Sequence, residues 1–152
     1  MRLSNLADYA VVTMTAAARH CGSGSHVDPV TGKPARVSAA QLAAETGLPA
    51  PTVQKLVGKL ATAGLLRASR GAGGGLKLAR PAAAITLADI VEAVEGPIAL
   101  TSCAEHGSHD CALEGRCGVR PHWGVVNEAL RGALADVPLT RLTQLTQPDM
   151  QS

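Results

Sequence analysis

The fold is decided by residues 38–80, which read SAAQLAAETGLPAPTVQKLVGKLATAGLLRASRGAGGGLKLAR. Two short helices are predicted there, the first capped by Ser38 over residues 39–46 and the second running from the Pro49 and Pro51 region to about residue 63. Gly47 supplies a left-handed turn between them. Two short helices joined in this way, the second of them basic, are typical of a helix-turn-helix. The second helix has one apolar face, formed by Val53, Leu56, Val57 and Leu60.

A glycine-rich turn at 71–75 then separates two short alternating runs, 65–70 and 76–80. This pattern predicts a β-hairpin, and a hairpin directly after a helix-turn-helix is a wing. The glycines let the wing tip approach a nucleic acid backbone closely, and Arg70 is placed to enter a minor groove. A nucleotide-phosphate loop is the competing interpretation. It fails because Leu76 stands where the dinucleotide fingerprint needs its last glycine, and no Gly-Lys-Ser or Gly-Lys-Thr occurs.

The charge distribution agrees with a nucleic acid partner. No acidic residue lies between Glu45 and Asp89, although six of the fourteen basic residues fall there. The rest of the chain carries eight bases and all twelve acids, so a net charge of +2 hides a middle segment of +6. Such a segment indicates a polyanion as partner, most simply nucleic acid, although a solvated basic surface is the alternative.

Length and composition exclude several classes of protein. With 152 residues, 46% of them hydrophobic and 17% charged, the chain is too short for a large multidomain enzyme and too apolar for a disordered tail. Its apolar runs are too short for a membrane span, and no leader segment is visible, so we expect a globular protein of the cytoplasm. No catalytic constellation is evident, so we expect neither an enzyme nor a small-molecule substrate. With Trp123 and Tyr9 as its sole aromatics, the core must be aliphatic.

The remaining segments complete a three-part organisation. We expect a first helix over 5–19, an exposed loop over 22–34 with no role assigned, a short strand at 35–37, and a further helix after Thr86 that ends at 96–97. A long amphipathic helix should open at Pro121 and serve as a dimer interface, unless it folds back on its own domain. The expected units are 1–98, 99–120 and 121–145. The apolar stripe of the long helix comprises Trp123, Val126, Leu130, Ala133, Leu134 and Val137.

Three cysteines are the most specific chemical signal. Cys103, Cys111 and Cys117 are separated by seven and five residues, gaps wide enough to surround an iron–sulfur cluster rather than a single zinc ion. A fourth ligand is missing from this set. His122 and Asp8 are the leading candidates for it, followed by His106, His109 and Cys21. A thiol redox switch and buried apolar packing are the alternatives for the cysteines, and packing is the expected role of Cys21.

Taken together, the helix-turn-helix, the wing at 70–80, the run ITLADIVEAVEG at 85–96 and the three ordered cysteines resemble the IscR/NsrR-type iron–sulfur transcription regulators, in particular regulators of the SUF assembly operon. Met1-Arg2-Leu3 and Tyr9-Ala10-Val11 fit as well, and the resemblance covers about residues 1–145. The first cysteine gap is longer than in relatives, and Leu76 replaces an aromatic residue. His122 lies two residues further from the last cysteine than in histidine-ligated relatives.

The resemblance implies a mainly α, dimeric winged helix-turn-helix protein with a long C-terminal dimerisation helix. Such a protein binds a double-stranded DNA operator, most simply as a repressor of iron–sulfur assembly genes, and carries a 2Fe-2S or 4Fe-4S cluster on Cys103, Cys111 and Cys117. The fourth ligand would be His122 or Asp8. A thiol- or nitric-oxide-responsive regulator on the same fold, and an iron–sulfur carrier that binds no DNA, are the alternatives. The expected DNA contacts are Arg2, Ser38, Thr52, Gln54, Lys55, Lys59, Arg70, Gly71, Gly73 and Gly74.

Overall fold

The structure is a computed structural model of the single chain, and it describes residues 1–21, 30, 32, 36–71, 74–104, 111–113 and 115–145. Six α-helices and one two-stranded antiparallel sheet make up the regular structure of these residues, with short 3-10 turns at Ala82–Ala84, Ser102–Ala104 and Arg120–His122. The mainly α fold with a β-hairpin is the one that the sequence predicts. The elements are α1 Asn5–Cys21, α2 Ala39–Thr46, α3 Ala50–Thr62, β1 Leu66–Ser69, β2 Gly75–Leu78, α4 Leu87–Glu95, α5 Trp123–Ala135 and α6 Leu139–Leu145.

The core is aliphatic and is centred on α1. Ala10, Met14 and Ala17 of α1 are fully buried, and α2, α3, β2, α4 and α6 all pack against this helix. Small side chains on α1 let neighbouring helices approach closely, so the chain builds a dense interior without phenylalanine. The helix is two residues longer than expected and ends at Cys21. Most of the loop predicted at 22–34 lies outside the described residues.

The helix-turn-helix forms at the predicted positions because its ends are fixed locally. The Ser38 hydroxyl accepts a hydrogen bond from the Gln41 backbone N–H at 3.0 Å, and the Gln41 side chain accepts one from the Ser38 N–H at 2.8 Å, which is a reciprocal capping box. Gly47 has a φ of 76° and ends α2 in the left-handed conformation. Val53, Leu56 and Leu60 of α3 are fully buried, and this face holds α3 against the core.

The wing is a hairpin that is held to the domain by a third segment. In its register Leu66 faces Leu78 and Ala68 faces Leu76. Val37 pairs with Leu76 through two backbone hydrogen bonds of 3.1 and 2.7 Å. The short strand predicted at 35–37 is therefore a single antiparallel bridge at Val37, and residue 35 lies outside the described residues.

The C-terminal helix is shorter than the sequence analysis predicts. After the 3-10 turn at Arg120–His122, α5 ends at Ala135, and Val137 therefore does not belong to its apolar stripe. The physical reason is Pro138, which disfavours helical backbone in the preceding residue. Val137 instead accepts a backbone hydrogen bond from Leu87 at 2.9 Å, and the fully buried Leu139 begins α6, which packs on α1. The segment predicted as dimerisation helix and tail thus contributes α6 to the core of the winged domain.

Candidate nucleic-acid interface and cysteine loop

The helix α3 presents its polar face away from the core. Gln54 and Lys55 are exposed, while Thr52 and Lys59 are half-buried. Lys55 and Lys59 line an open cleft of about 540 Å³ between α3 and α4, with Glu92 of α4 on its far side. These side chains are donors on a convex helix, which suits insertion into a DNA groove.

Ser38 lies at the entrance to this motif and is exposed. Its hydroxyl oxygen accepts the capping hydrogen bond from Gln41, so its own proton is free to be donated outward. The N-terminus of α2 adds backbone N–H groups beside it, and this combination favours a phosphate. The placement is compatible with the expected DNA contact.

The wing tip depends on its glycines. The Gly74 N–H donates to the Gly71 carbonyl at 2.8 Å, and Gly71 has a φ of +96°. A Cβ at Gly74 would lie 2.3 Å from the Ser69 carbonyl oxygen, so the turn has no room for a side chain there. Arg70 is exposed at the shoulder of this turn, as expected for a groove-entering side chain. The expected contact Gly73 lies outside the described residues.

An ion pair lowers the free positive charge of the basic segment between Glu45 and Asp89. Arg80 forms an ion pair with Asp89 at 3.4 Å, which neutralises one of the six bases. The other five form no ion pair within the part of the chain that the structure describes. They are Lys55, Lys59, Arg67, Arg70 and Lys77.

Arg2 lies in a different environment from the other expected DNA contacts. It lines a groove of about 360 Å³ formed by the N-terminus, the end of α4 and α5, and no described residue of α3 or of the wing lines this groove. Beside Arg2, the Ser4 hydroxyl donates to the Glu95 carboxylate and accepts the Ala7 N–H at 3.1 Å as the cap of α1. The structure thus places Arg2 between α4 and α5.

All four cysteines are free and half-buried. Cys103 lies on the turn Ser102–Ala104, and its Sγ is 3.2 Å from the Thr101 Oγ1. Among the described residues, no three or more His, Cys, Asp or Glu side chains come together in a group that could hold a metal ion. The histidines at 106 and 109, along with most of the segment between Cys103 and Cys111, lie outside those residues.

The candidate fourth ligands occupy two separate elements. His122 is exposed at the end of the turn Arg120–His122, directly before α5, and Asp8 is exposed in the first turn of α1. Cys21 instead contacts β2, where its thiol donates to the Leu76 carbonyl at 3.6 Å, and burial raises the pKa of this thiol. A raised pKa disfavours the thiolate, so Cys21 is a packing residue in this structure.

The chemistry of the loop cysteines fits an iron–sulfur cluster. Three free thiols within fifteen residues supply the soft ligands that such clusters take, and all three are partly accessible. The loop is also joined to α5, because the buried side chain of Asn127 accepts a hydrogen bond from the Leu100 N–H at 3.0 Å. The candidate ligand sulfurs therefore lie on a segment that begins and ends at α5.

Sequence reasoning missed two features of this region. Arg36 lies beside the wing, because Val37 bridges to β2, and this placement was hidden by the loop that precedes it. The second feature is the ion pair between Arg131 of α5 and Glu92 of α4, with contacts of 2.7 and 3.3 Å, which joins the C-terminal helix to the helix behind α3. The spacing of apolar residues gives no signal for either contact, since both join distant segments.

Known proteins share both the sequence pattern and the fold. The chain is 29% identical over 142 residues to the HTH-type transcriptional regulator IscR of Photobacterium profundum, which covers 93% of this chain and 75% of that protein. It is 42% identical over 80 residues to protein aau3 of Rhizobium meliloti, which covers 53% of this chain and 47% of that protein. The chain thus matches about half the length of aau3.

Solved structures of regulators superpose on almost the whole chain. The structure of CymR, the global cysteine regulator of B. subtilis, has a TM-score of 0.69 at 25% identity and covers 97% of this chain and 99% of its own. T. potens IscR has a TM-score of 0.66 at 24% identity, covers 100% of this chain and 93% of its own, and shows the shared fold. A family model described as Rrf2, an iron-dependent transcriptional regulator, matches residues 3–145. The resemblance to IscR-type regulators is thereby confirmed, and the chain belongs to the Rrf2 family of DNA-binding transcriptional regulators.

Proposed function

We propose that this protein is a homodimeric repressor of iron–sulfur cluster assembly genes that acts in the cytoplasm and senses a cluster held by its own cysteines. The observation that carries the proposal is the combination of two features in one Rrf2-family chain. They are a winged helix-turn-helix with five bases that form no ion pair with a described residue, and three free thiols on a loop attached to α5. Cys103, Cys111 and Cys117 would hold the cluster, with His122 or Asp8 as fourth ligand. The cluster, when bound, supplies a charge and a set of ligand bonds that depend on iron supply and oxidation state.

A chain of contacts supports communication between the cysteine loop and DNA. Asn127 ties the start of the loop to α5, and Arg131 ties α5 to Glu92 of α4. The helix α4 packs directly on α3, which carries the candidate DNA contacts. A shift of the loop therefore moves α5 and α4 together and changes the position of α3 relative to its counterpart in the dimer.

The dimer proposal rests on apolar side chains at the C-terminal face. Val125 and Val126 of α5 are 71% and 41% exposed, and Leu113 and Val119 of the preceding loop are exposed as well. Exposed apolar side chains of this size, close together in the sequence, are typical of an interaction surface. A symmetric pairing through this face would place two α3 helices for paired half-sites, as helix-turn-helix regulators require.

The first experiment tests the cluster. The protein is purified without oxygen, and its visible absorption is recorded with iron and sulfide counts per chain. We expect cysteine-dependent absorbance with matching iron and sulfide, lost in Cys111→Ala and retained in the matched control Cys21→Ala, because Cys21 packs on β2. A colourless wild-type protein that resists reconstitution, or a Cys21→Ala variant as colourless as Cys111→Ala, contradicts the proposal.

The second experiment tests the targets. Genomic fragments bound by the anaerobic protein are sequenced and compared with those bound by a variant in which Cys103, Cys111 and Cys117 are all alanine. We expect promoters of iron–sulfur assembly genes among the wild-type fragments, with affinities that differ between cluster-loaded and variant protein. Equal operator affinity for the two proteins would overturn cluster sensing.

A thiol-responsive regulator on the same fold is the second candidate. It is favoured by the likeness to CymR, whose B. subtilis structure is that of a global cysteine regulator. In that case DNA binding follows added oxidant and not iron supply. Titration of DNA affinity with peroxide, in metal-free protein, separates the two candidates.

A further inference from the structure

The wing has one apolar face and one basic face. Leu66 and Leu76 are buried, and the alternate residues Arg67 and Lys77 lie on the opposite face. Arg67 and Lys77 are direct partners in the register of the hairpin. Two positive charges therefore stand side by side on the outer face of the sheet.

Arg36 extends this pair to a row of three. The bridge between Val37 and Leu76 is antiparallel, so the preceding residue Arg36 lies beside Lys77 on the outer face. Its side chain leaves the backbone close to β2, because a Cβ at Gly75 would lie 3.1 Å from the Arg36 Cβ. We call Arg36, Lys77 and Arg67 the basic row.

Within the described part of the chain, no acidic side chain neutralises the basic row. None of its members forms an ion pair with a described residue, although other bases of the chain do, such as Arg80 with Asp89 and Arg19 with Glu45. Like charges directly opposite each other destabilise a sheet. The row thus weakens the isolated domain and is explained by a ligand of opposite charge.

We propose that the basic row binds the sugar–phosphate backbone of duplex DNA, in addition to the contacts of the wing tip and α3. Neighbouring strands are about 4.8 Å apart, so the three residues span roughly 10 Å. One DNA strand carries a phosphate about every 3.4 Å along the helix axis, which gives about three phosphates over that length. The three charges thus face about three phosphates, and the long, flexible side chains of arginine and lysine take up the difference in spacing. A backbone contact requires no particular base sequence.

This inference rests on the proposed DNA-binding function and is tested with DNA of arbitrary sequence. Binding of the full chain to a fluorescein-labelled 30-base-pair duplex is followed by anisotropy between 50 and 200 mM KCl. The test variant combines Arg36→Gln, Arg67→Gln and Lys77→Gln. The charge-matched control combines Arg116→Gln, Arg120→Gln and Arg141→Gln, which are exposed residues outside the helix-turn-helix and the wing.

The slope of log K against log salt is negative, and loss of three phosphate contacts reduces its magnitude by about 2.7 for each bound subunit. The loss of affinity between 50 and 200 mM KCl should therefore be about 40-fold smaller for the test variant than for wild type. The control should keep the wild-type slope. A test variant with the wild-type slope, or a control with an equally reduced slope, overturns the basic row and leaves the DNA-binding function standing.

Two further readouts separate the remaining cases. A wild-type protein that binds no duplex at any salt concentration overturns the DNA-binding function itself. Thermal unfolding without DNA gives the second readout, because removal of neighbouring like charges should leave the melting temperature of the test variant equal to or above that of wild type. A lower melting temperature would assign the three residues to the stability of the wing and would also overturn the inference.

Discussion

Substituting alanine for glycine is expected to have opposite effects at two positions of the DNA-binding region. At Gly74 a new Cβ would lie 2.3 Å from the Ser69 carbonyl oxygen and 2.8 Å from the Gly71 carbonyl oxygen. Both are backbone atoms, so no side-chain rotation relieves the overlap. At Gly58, on the exposed face of α3, nothing lies within 4 Å of an added Cβ. The first substitution must therefore deform the wing turn, and the second only makes a helix more rigid.

The magnitudes follow from what each change disturbs. Opening the turn at Gly74 gives up its N–H···O bond to Gly71, about 1 kcal/mol, and overpacking adds about 1–3 kcal/mol. We expect Gly74→Ala to lose about 2–4 kcal/mol, or roughly 5–15 °C in melting temperature for a chain of this length. Gly58→Ala should gain about 0.5–1 kcal/mol, or roughly 1–4 °C, because alanine loses less backbone entropy in a helix.

Both variants are compared with wild type by thermal unfolding, monitored by circular dichroism. One protein concentration is used throughout, since the proposed dimerisation would make the melting temperature concentration-dependent. Far-UV spectra at 20 °C control for gross misfolding. If Gly74→Ala melts at the wild-type temperature, the close contacts at the wing tip are not part of the folded state in solution. A destabilised Gly58→Ala would show that α3 does not have the open outer face described above.

Three further outcomes test the core and its surface contacts. Leu139→Ala should cost about 2–5 kcal/mol by urea unfolding, because Leu139 is fully buried; a loss well below that range would place α6 outside the core. Thr13→Val should raise the free energy of unfolding by about 1 kcal/mol, because the buried Thr13 hydroxyl has no hydrogen-bond partner among the described residues; a loss of stability would reveal a partner. The Glu45 carboxylate accepts a hydrogen bond from His20 at 2.6 Å. This bond, and to a smaller extent the contact with Arg19, lowers the pKa of the Glu45 carboxyl. The ionised carboxylate therefore contributes about 0.5–1 kcal/mol to the free energy of unfolding at this partly exposed site at pH values above its ordinary pKa. This contribution is lost as the pH falls through the lowered pKa, so Glu45→Gln should abolish the corresponding difference in stability between pH 6 and pH 3.

The elements that the sequence predicts well are those whose ends are fixed by neighbouring residues. Ser38 with Gln41, and Thr86 with Asp89, form reciprocal capping boxes within one turn of helix. Gly47 ends α2 because its positive φ is cheap only for glycine. In each case the residue types and the structure they produce lie within four positions of each other, so the helix-turn-helix can be read from the chain directly.

The features that sequence analysis missed join residues of different elements. The ion pair of Arg80 with Asp89 lowers the free charge of the basic segment, and the bridge from Val37 to Leu76 adds Arg36 to the wing. Pairing across 39 residues depends on how the whole domain packs, which residue spacing does not encode. The early end of α5 is a different case, because it follows from Pro138, which restricts the backbone of the neighbouring Val137. This local effect could have been predicted from the sequence.

The cysteine loop differs from both groups, because most of the segment between Cys103 and Cys111 lies outside the described residues and the ligand set proposed for it stays a prediction. The winged domain is closed without the loop, since α6 returns to α1 and Leu139 completes the core. Where the structure describes it, the loop is tied to the rest at few points, among them the Asn127 side chain and the turn before α5. Under the proposed function, a bound cluster would therefore have little of the core to reorganise and would act on the loop and α5. The resulting change in DNA affinity would pass through the Arg131–Glu92 pair and the packing of α4 on α3, where the proposed sensing and DNA-binding parts of the domain meet.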